Sequence, residues 1–158
     1  MNRAQAILIS VDGVNGVAVK AAARQALAAI GRTRRGGISV WDASGLFEEL
    51  AVADEEAGTP SPRTLLLLFA ADLAFRLRWE IEPALAEGKV VIAAAYVETA
   101  IAFGRAAGIS TGWLANLFSF APRRAIAAMS TRPRRGQFRI VRDSSNSVAS
   151  VWRGFLRC

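Results

Sequence analysis

Thr64-Leu65-Leu66-Leu67-Leu68-Phe69-Ala70-Ala71-Asp72, continuing through Ile81-Glu82-Pro83-Ala84-Leu85-Ala86-Glu87-Gly88 to Lys89-Val90-Val91-Ile92-Ala93-Ala94-Ala95-Tyr96, carries the architecture of this chain. Leu66, Phe69, Ala70, Leu73, Leu77, Ile81 and Leu85 recur at helical spacing, so one long helix is expected from about Pro62 to Glu87. Ser61 is placed to cap it, and Pro62 fits the first turn, where its missing N–H is no loss. Pro83, late in the helix, removes a backbone donor and should kink or loosen the ladder. Gly88 is a helix stop, and Val90 to Ala94 is a short, continuous apolar run of the kind that forms a strand buried on both faces.

On the N-terminal side, Ala6-Ile7-Leu8-Ile9-Ser10-Val11 reads as a second buried parallel strand, ending in Asp12-Gly13. An alanine-rich helix is expected from Val17 to Ile30, with Gly31 as its stop. Strand, glycine turn and helix in that order open a phosphate-binding α/β domain. The full phosphate-loop pattern is G-x-x-x-x-G-K-[ST], in which backbone N–H groups cradle phosphates, Lys reaches the terminal ones and the hydroxyl holds Mg²⁺. With Gly13 as the first glycine, Ala18 stands for the second, Val19 for the lysine and Lys20 for the hydroxyl. Gly13, Gly16 and Lys20 are therefore candidate phosphate-binding residues. The alternative is a tight strand-to-helix turn served by the two glycines, with Lys20 a solvated helix residue.

After this helix, the basic Arg32-Thr33-Arg34-Arg35-Gly36-Gly37 precedes a short strand, Ile38 to Trp41. Asp42 or Ser44 is placed to cap a helix from about Gly45 to Val52, and an acidic, proline-bearing loop runs from Asp54 to Pro62. Beyond the central strand, Tyr96 begins another helix that closes near Gly108. Ser110 or Thr111 caps a shorter one through Trp113, Leu114, Leu117 and Phe118. From Pro122 onward Arg and Ser replace the apolar periodicity, with one short run, Phe138 to Val141, of strand character.

A chain of 158 residues with 53% apolar composition is long enough to bury one core. Its net charge of +7 is uneven. Residues 1–121 carry eleven Lys/Arg and twelve Asp/Glu, whereas residues 122–158 carry nine Arg and the single Asp143. The expected organisation is thus a folded domain over 1–121 and a basic, disordered Arg/Ser-rich tail over 122–158. The absence of histidine removes His general bases, His metal sites and Ser-His-Asp triads. A lone Cys158 makes no internal disulfide and no CxxC site. A cytoplasmic location is expected: no signal peptide is legible, and Asp72 and Glu98 interrupt the two long apolar runs, so no membrane span is expected.

The Pro62-to-Pro122 segment, with the N-terminal strand-turn-helix, resembles the thymidylate kinase family of nucleoside-monophosphate kinases. The likeness covers about three quarters of the chain. It implies an α/β fold: a P-loop NTPase-like three-layer α/β/α arrangement on a short parallel sheet, truncated at the C-terminus. It also implies transfer of a phosphoryl group from ATP to dTMP, with ATP and Mg²⁺ as cofactors where activity remains. Leu67-Leu68-Phe69-Ala70-Ala71-Asp72 corresponds to the family's helix segment whose aromatic stacks on thymine. Phe69 therefore reads either as a base contact or as an ordinary core aromatic. Tyr96, Thr99 and Phe103 match further family positions, which makes Phe69, Tyr96 and Phe103 the nucleoside-binding candidates. Thr33-Arg34-Arg35-Gly36-Gly37-Ile38 echoes a Thr-Arg-Glu-Pro-Gly-Gly-Thr segment, which makes Arg34 a phosphate candidate or else part of a solvated basic loop.

The departures from the family fall on charged groups. Leu73 stands where the family has an arginine that grips the monophosphate, and Ala94-Ala95 stands where it has Asp-Arg before the tyrosine. Phosphoryl transfer depends on electrostatic stabilisation, and losing one such group typically costs about a hundredfold to a thousandfold in rate. The expectation is a degenerate, pseudokinase-like nucleotide-binding protein without confident catalytic residues or metal ligands. One alternative is an active dTMP kinase using Lys20, Arg34 and Arg76. Another is a scaffold or nucleic-acid-binding module whose basic tail engages nucleic acid or an acidic partner. A homodimer is a further expectation for partners.

Overall fold

The computed structural model describes residues 6–13, 15–30, 34–46 and 60–122, with the backbone of 126–127. Its elements are β1 (Ile7–Val11), α1 (Gly16–Ala29), β2 (Gly36–Val40), α2 (Pro62–Arg76), a π-helical turn (Leu77–Ile81), α3 (Glu82–Ala86), β3 (Val90–Ala94), α4 (Val97–Ala106), α5 (Thr111–Leu117) and β4 (Ile126–Ala127). The four strands form one parallel sheet in the order β2-β3-β1-β4. β3 lies between β1 and β2 and is buried along its whole length, as its unbroken apolar run requires.

Strand order and handedness together give the layers. The β1-to-β2 connection runs across the sheet in one direction, and the β2-to-β3 connection runs back. Parallel crossovers are right-handed, so these opposite directions put α1 on one face and α2 on the other. From β3 to β4 the chain travels in the same direction as from β2 to β3, which brings α4 and α5 to the α2 side. Gly104 marks that contact: a Cβ added there would lie 2.5 Å from Leu114 Cδ2 and 3.2 Å from Leu66 Cδ1. The α/β architecture expected from the sequence is the one observed.

Register fixes where a site can form. Val11 and Val40 are both level with Ala94, so β1, β2 and β3 end in one row at their C-terminal edge. In open α/β sheets this edge is where ligands bind.

The long helix is present, and its ladder loosens just ahead of Pro83, as expected. The chain passes through one wider turn, in which the Glu82 N–H reaches back to Leu77 O, and the helix then resumes. A π-turn shifts the ladder by one residue ahead of a proline that cannot join it. Ser61 caps α2 by accepting from Thr64 N at 3.1 Å, and Ser110 caps α5 by accepting from Trp113 N at 3.3 Å. Gly88 and Gly108 hold φ of 76° and 77°, the left-handed conformation that ends a helix.

β2 begins at Gly36, two residues before the expected Ile38, and Trp41 lies in the turn after it. The short β4 pairs Ile126 and Ala127 with Ile9 and Ser10, just past the expected division at residue 121. Most of the helix expected over 45–52, the acidic loop to residue 59 and the Phe138–Val141 run lie outside the described residues. No helix among the described residues is long and apolar enough to cross a membrane.

Candidate functional site

A cleft of about 220 Å³ opens at the C-terminal edge of the sheet. Its walls are Gly16, Val19 and Lys20 from the start of α1, Val40, Trp41 and Asp42 from the end of β2 and its turn, and Ala94 and Ala95 from the end of β3. Lys20 is the cation and Asp42 the carboxylate among these residues. The cleft is smaller than the roughly 300–1,000 Å³ usual for sites that enclose a drug-sized ligand.

The head of α1 is closed by its own sequence. Helix geometry begins at Gly16, so only residues 12–15 separate it from β1. The Asn15 side chain accepts from Ala18 N at 3.0 Å, as an N-cap does. Gly13 N donates to Thr99 Oγ1 at 3.1 Å. Two amides that a phosphate loop would offer to a ligand are thus bonded within the protein. Gly16 and Lys20 reach the cleft; Gly13 is buried behind it.

Arg34 is elsewhere. It precedes Gly36, which pairs with Val90 at the N-terminal end of β2, whereas the cleft lies at the other end of that strand. The structure therefore does not bring Arg34 to Lys20. Gly36 and Gly37, which echo a family loop in sequence, are strand residues here, and Trp41-Asp42 reaches the cleft instead.

The three aromatic candidates are in the core rather than in the cleft. Phe69 is fully buried, stacked on Trp41 at 4.4 Å between ring centroids and met edge-on by Phe118 at 6.0 Å. Phe103 is buried on α4. Tyr96 is buried as well, and its hydroxyl donates to Pro122 O at 3.1 Å. Burial pushes the Tyr96 phenol up to about 12, so it remains a donor throughout the neutral range.

Behind the cleft wall lie two buried carboxylates that sequence reading did not connect to it. Asp72 accepts from Asp42 N at 3.2 Å, from Ser44 N at 3.0 Å and from Ser44 Oγ at 2.8 Å. Its Oδ2 lies 2.9 Å from Arg76 Nε, both side chains being inaccessible to solvent. Arg76 also donates to Ala95 O at 2.8 Å and Ser39 O at 3.3 Å. Burial pushes the guanidinium down from its usual value, and Asp72 pulls it back. Asp42 sits at φ 63°, a left-handed conformation that Asp tolerates better than most residues, and its N–H is thereby turned toward Asp72. The signal for this network was present as Asp72 and Arg76 at i and i+4 inside an apolar helix.

The second carboxylate is Asp12. Its Oδ1 accepts from Tyr96 N at 2.8 Å, Thr99 N at 3.0 Å and Thr99 Oγ1 at 2.8 Å, which seats it at the start of α4. Burial raises its pKa, against the lowering by hydrogen bonds from Thr99 and Tyr96 and by the Arg76 charge.

Mg²⁺, which the resemblance implies where activity remains, does not fit the described residues of the cleft. Lys20 stands where a hydroxyl ligand would be, and Oδ1 of Asp12 is committed to three donors. Among the described residues no group of three or more His, Cys, Asp or Glu could hold an ion.

No family profile matches the chain. A probable thymidylate kinase of Pyrococcus abyssi is 40% identical over 80 residues, covering 51% of this chain and 39% of that protein. One from Pyrobaculum calidifontis is 44% identical over 66 residues, or 42% and 34% of the two chains. One from Caldivirga maquilingensis is 29% identical over 115 residues, or 68% and 54%. The chain thus spans between about a third and a half of the length of these relatives. The crystal structure of thymidylate kinase from Ehrlichia chaffeensis superposes with a TM-score of 0.62 at 19% identity, covering 79% of this chain and 69% of that one, and so shares the fold.

Two predictions come from the buried carboxylates. Removing one member of a buried pair strands the other, so Asp72→Ala is expected to destabilise the protein by about 3–5 kcal/mol in urea denaturation, and Asp72→Ala/Arg76→Leu by less than the sum of the single changes. Asp12, with its pKa raised on folding, holds more protons folded than unfolded between the two values, so its contribution to stability falls as pH rises through that window. Asp12→Asn keeps an acceptor oxygen and loses the titration. Its stability relative to the wild type should increase from pH 4 to pH 7, and a flat difference would contradict the assignment.

Proposed function

We propose, on the premise that this chain is a relative of the thymidylate kinases, that it binds a phosphate-bearing ligand at the head of α1 and carries out little or no phosphoryl transfer. The observation that supports this reading is the charge inventory of the cleft: Lys20 is the cation among its described lining residues, faced by Asp42 and by the methyl groups of Ala94 and Ala95. The relationship implies Asp and Arg at the two alanines and a second arginine at Leu73. Arg76 is turned into the protein by Asp72 and two backbone carbonyls. A single lysine beside a helix N-terminus is enough to hold an anion, but it supplies little of the stabilisation that a transferring phosphoryl group needs. A cytoplasmic setting belongs to the same reading.

The experiment is thermal unfolding with inorganic phosphate, dTMP and ATP, with and without Mg²⁺, since a ligand that binds only the folded state raises the melting temperature. A rise with dTMP that is lost in Lys20→Ala is expected, together with no dTDP formed from ATP and dTMP above a buffer blank. Turnover that survives in the purified protein would overturn the loss of transfer, and equal shifts in wild type and Lys20→Ala would overturn the site.

The outer face of the long helix supports a homodimer as the partner arrangement. Leu67, Phe75 and Trp79 follow one another at spacings of eight and four residues, and are 53%, 40% and 66% exposed. Apolar residues recurring on one exposed face are a frequent mark of an interface. Sedimentation equilibrium is expected to show a dimer that Trp79→Glu converts to monomer; a wild-type monomer at every concentration would remove this part of the reading.

A further inference from the structure

Trp41 both lines the cleft and covers a buried ring. Its indole lies 4.4 Å from Phe69, centroid to centroid, at 20° between planes, and only 8% of the residue is exposed. Phe118 closes the edge of Phe69 at 79°. Offset stacking of this kind is attractive beyond the area it buries.

The backbone that carries the indole is held on both sides. Trp41 N donates to Ala94 O at 2.6 Å, which extends the β2–β3 pairing by one residue. The next amide, Asp42 N, is held by Asp72, and so are the amide and hydroxyl of Ser44. With Asp42 at φ 63° the chain turns away immediately after the tryptophan. Motion of the turn as a loop would break these bonds, so the indole is presented in one place.

We infer that Trp41 is a built-in plug: its indole fills the ring-sized slot on Phe69 at the edge of the anion cleft, so a ligand's own ring gains that surface only when the indole is removed. The inference rests on reading the cleft as a phosphate site and adds its selectivity. The ligand class of the native chain is then phosphorylated compounds recognised through the phosphate, with the ring left outside. Sugar phosphates and nucleotides of the same sugar bind alike, and a planar unsaturated ring contributes nothing. In Trp41→Ala the slot joins the cleft, one face of Phe69 becomes available, and a pyrimidine or an indole can stack there.

The test compares wild type with Trp41→Ala by calorimetry and thermal unfolding, using 2-deoxyribose 5-phosphate, dTMP, thymidine and free indole. Wild type should bind 2-deoxyribose 5-phosphate and dTMP with affinities within about twofold of each other. Trp41→Ala should bind dTMP tighter than the sugar phosphate by about tenfold, the scale of one base stacked on an aromatic side chain. Indole should raise the melting temperature of Trp41→Ala and leave wild type unchanged. Should Trp41→Ala lose its folded circular-dichroism signal, indole should restore it, and Trp41→Leu serves as the second, better-packed variant. A wild-type preference for dTMP of tenfold overturns the inference, and so does a Trp41 variant that responds to neither indole nor thymidine. Indole rescue without any phosphate-dependent shift in either protein would sink the phosphate reading while leaving the plug standing.

Discussion

Arg76 and Asp72 form an ion pair at 2.9 Å with no solvent access to either side chain, and the C-terminal edge of the sheet is built around it. Taking two charges out of water costs several kcal/mol per ion unless hydrogen bonds complete the geometry. Here Asp72 accepts from the turn after β2, and Arg76 donates through both terminal nitrogens, to Ser39 O near the end of β2 and Ala95 O just past the end of β3, while its Nε meets Asp72 by charge alone. One helix thereby holds two strand ends and one turn in a fixed relation. Networks of this sort are stabilising only when every member is satisfied, so the turn residues Asp42 and Ser44 belong to the pair as much as to the cleft.

The same network shapes the chemistry available. Arg76 draws the Ser39 and Ala95 carbonyls toward the core, so its charge serves packing rather than a ligand. The Asp72 contacts hold Trp41 and Asp42 at the cleft wall, and Asp12, through Thr99 and Tyr96, holds the start of α4 against the end of β1. Among the described residues, the common C-terminal edge of the strands carries a small opening lined by Lys20, Asp42, two alanines and an indole.

A good part of the fold was legible along the chain. The β1 and β3 runs are continuous apolar segments flanked by turn signals, α2 repeats its apolar residues at helical spacing, and Ser61, Ser110, Gly88 and Gly108 end or begin helices through interactions within a few residues. β2 begins two residues ahead of its apolar run, because Gly36 and Gly37 have no strand propensity of their own and only pairing with Val90 and Val91 of β3 makes them strand. The π-turn was also hidden, since Pro83 announces a missing hydrogen bond but not how the helix absorbs it.

The amino-acid order by itself determined the local elements, the α/β class and the absence of charge at Leu73, Ala94 and Ala95, because each depends on neighbouring residues or on chemical identity alone. Only the tertiary structure decided which side chains face the cleft. Phe69, an aromatic on an apolar helix, fits a core or a pocket equally well until Trp41 is laid over it. Lys20 and Arg34 look alike as cations until the strand register sends them to opposite ends of β2. Asp72 and Ser44 are 28 residues apart, and Asp12 and Thr99 are 87 apart. Contacts at such separations come from the folding of the whole sheet, and no local periodicity encodes them.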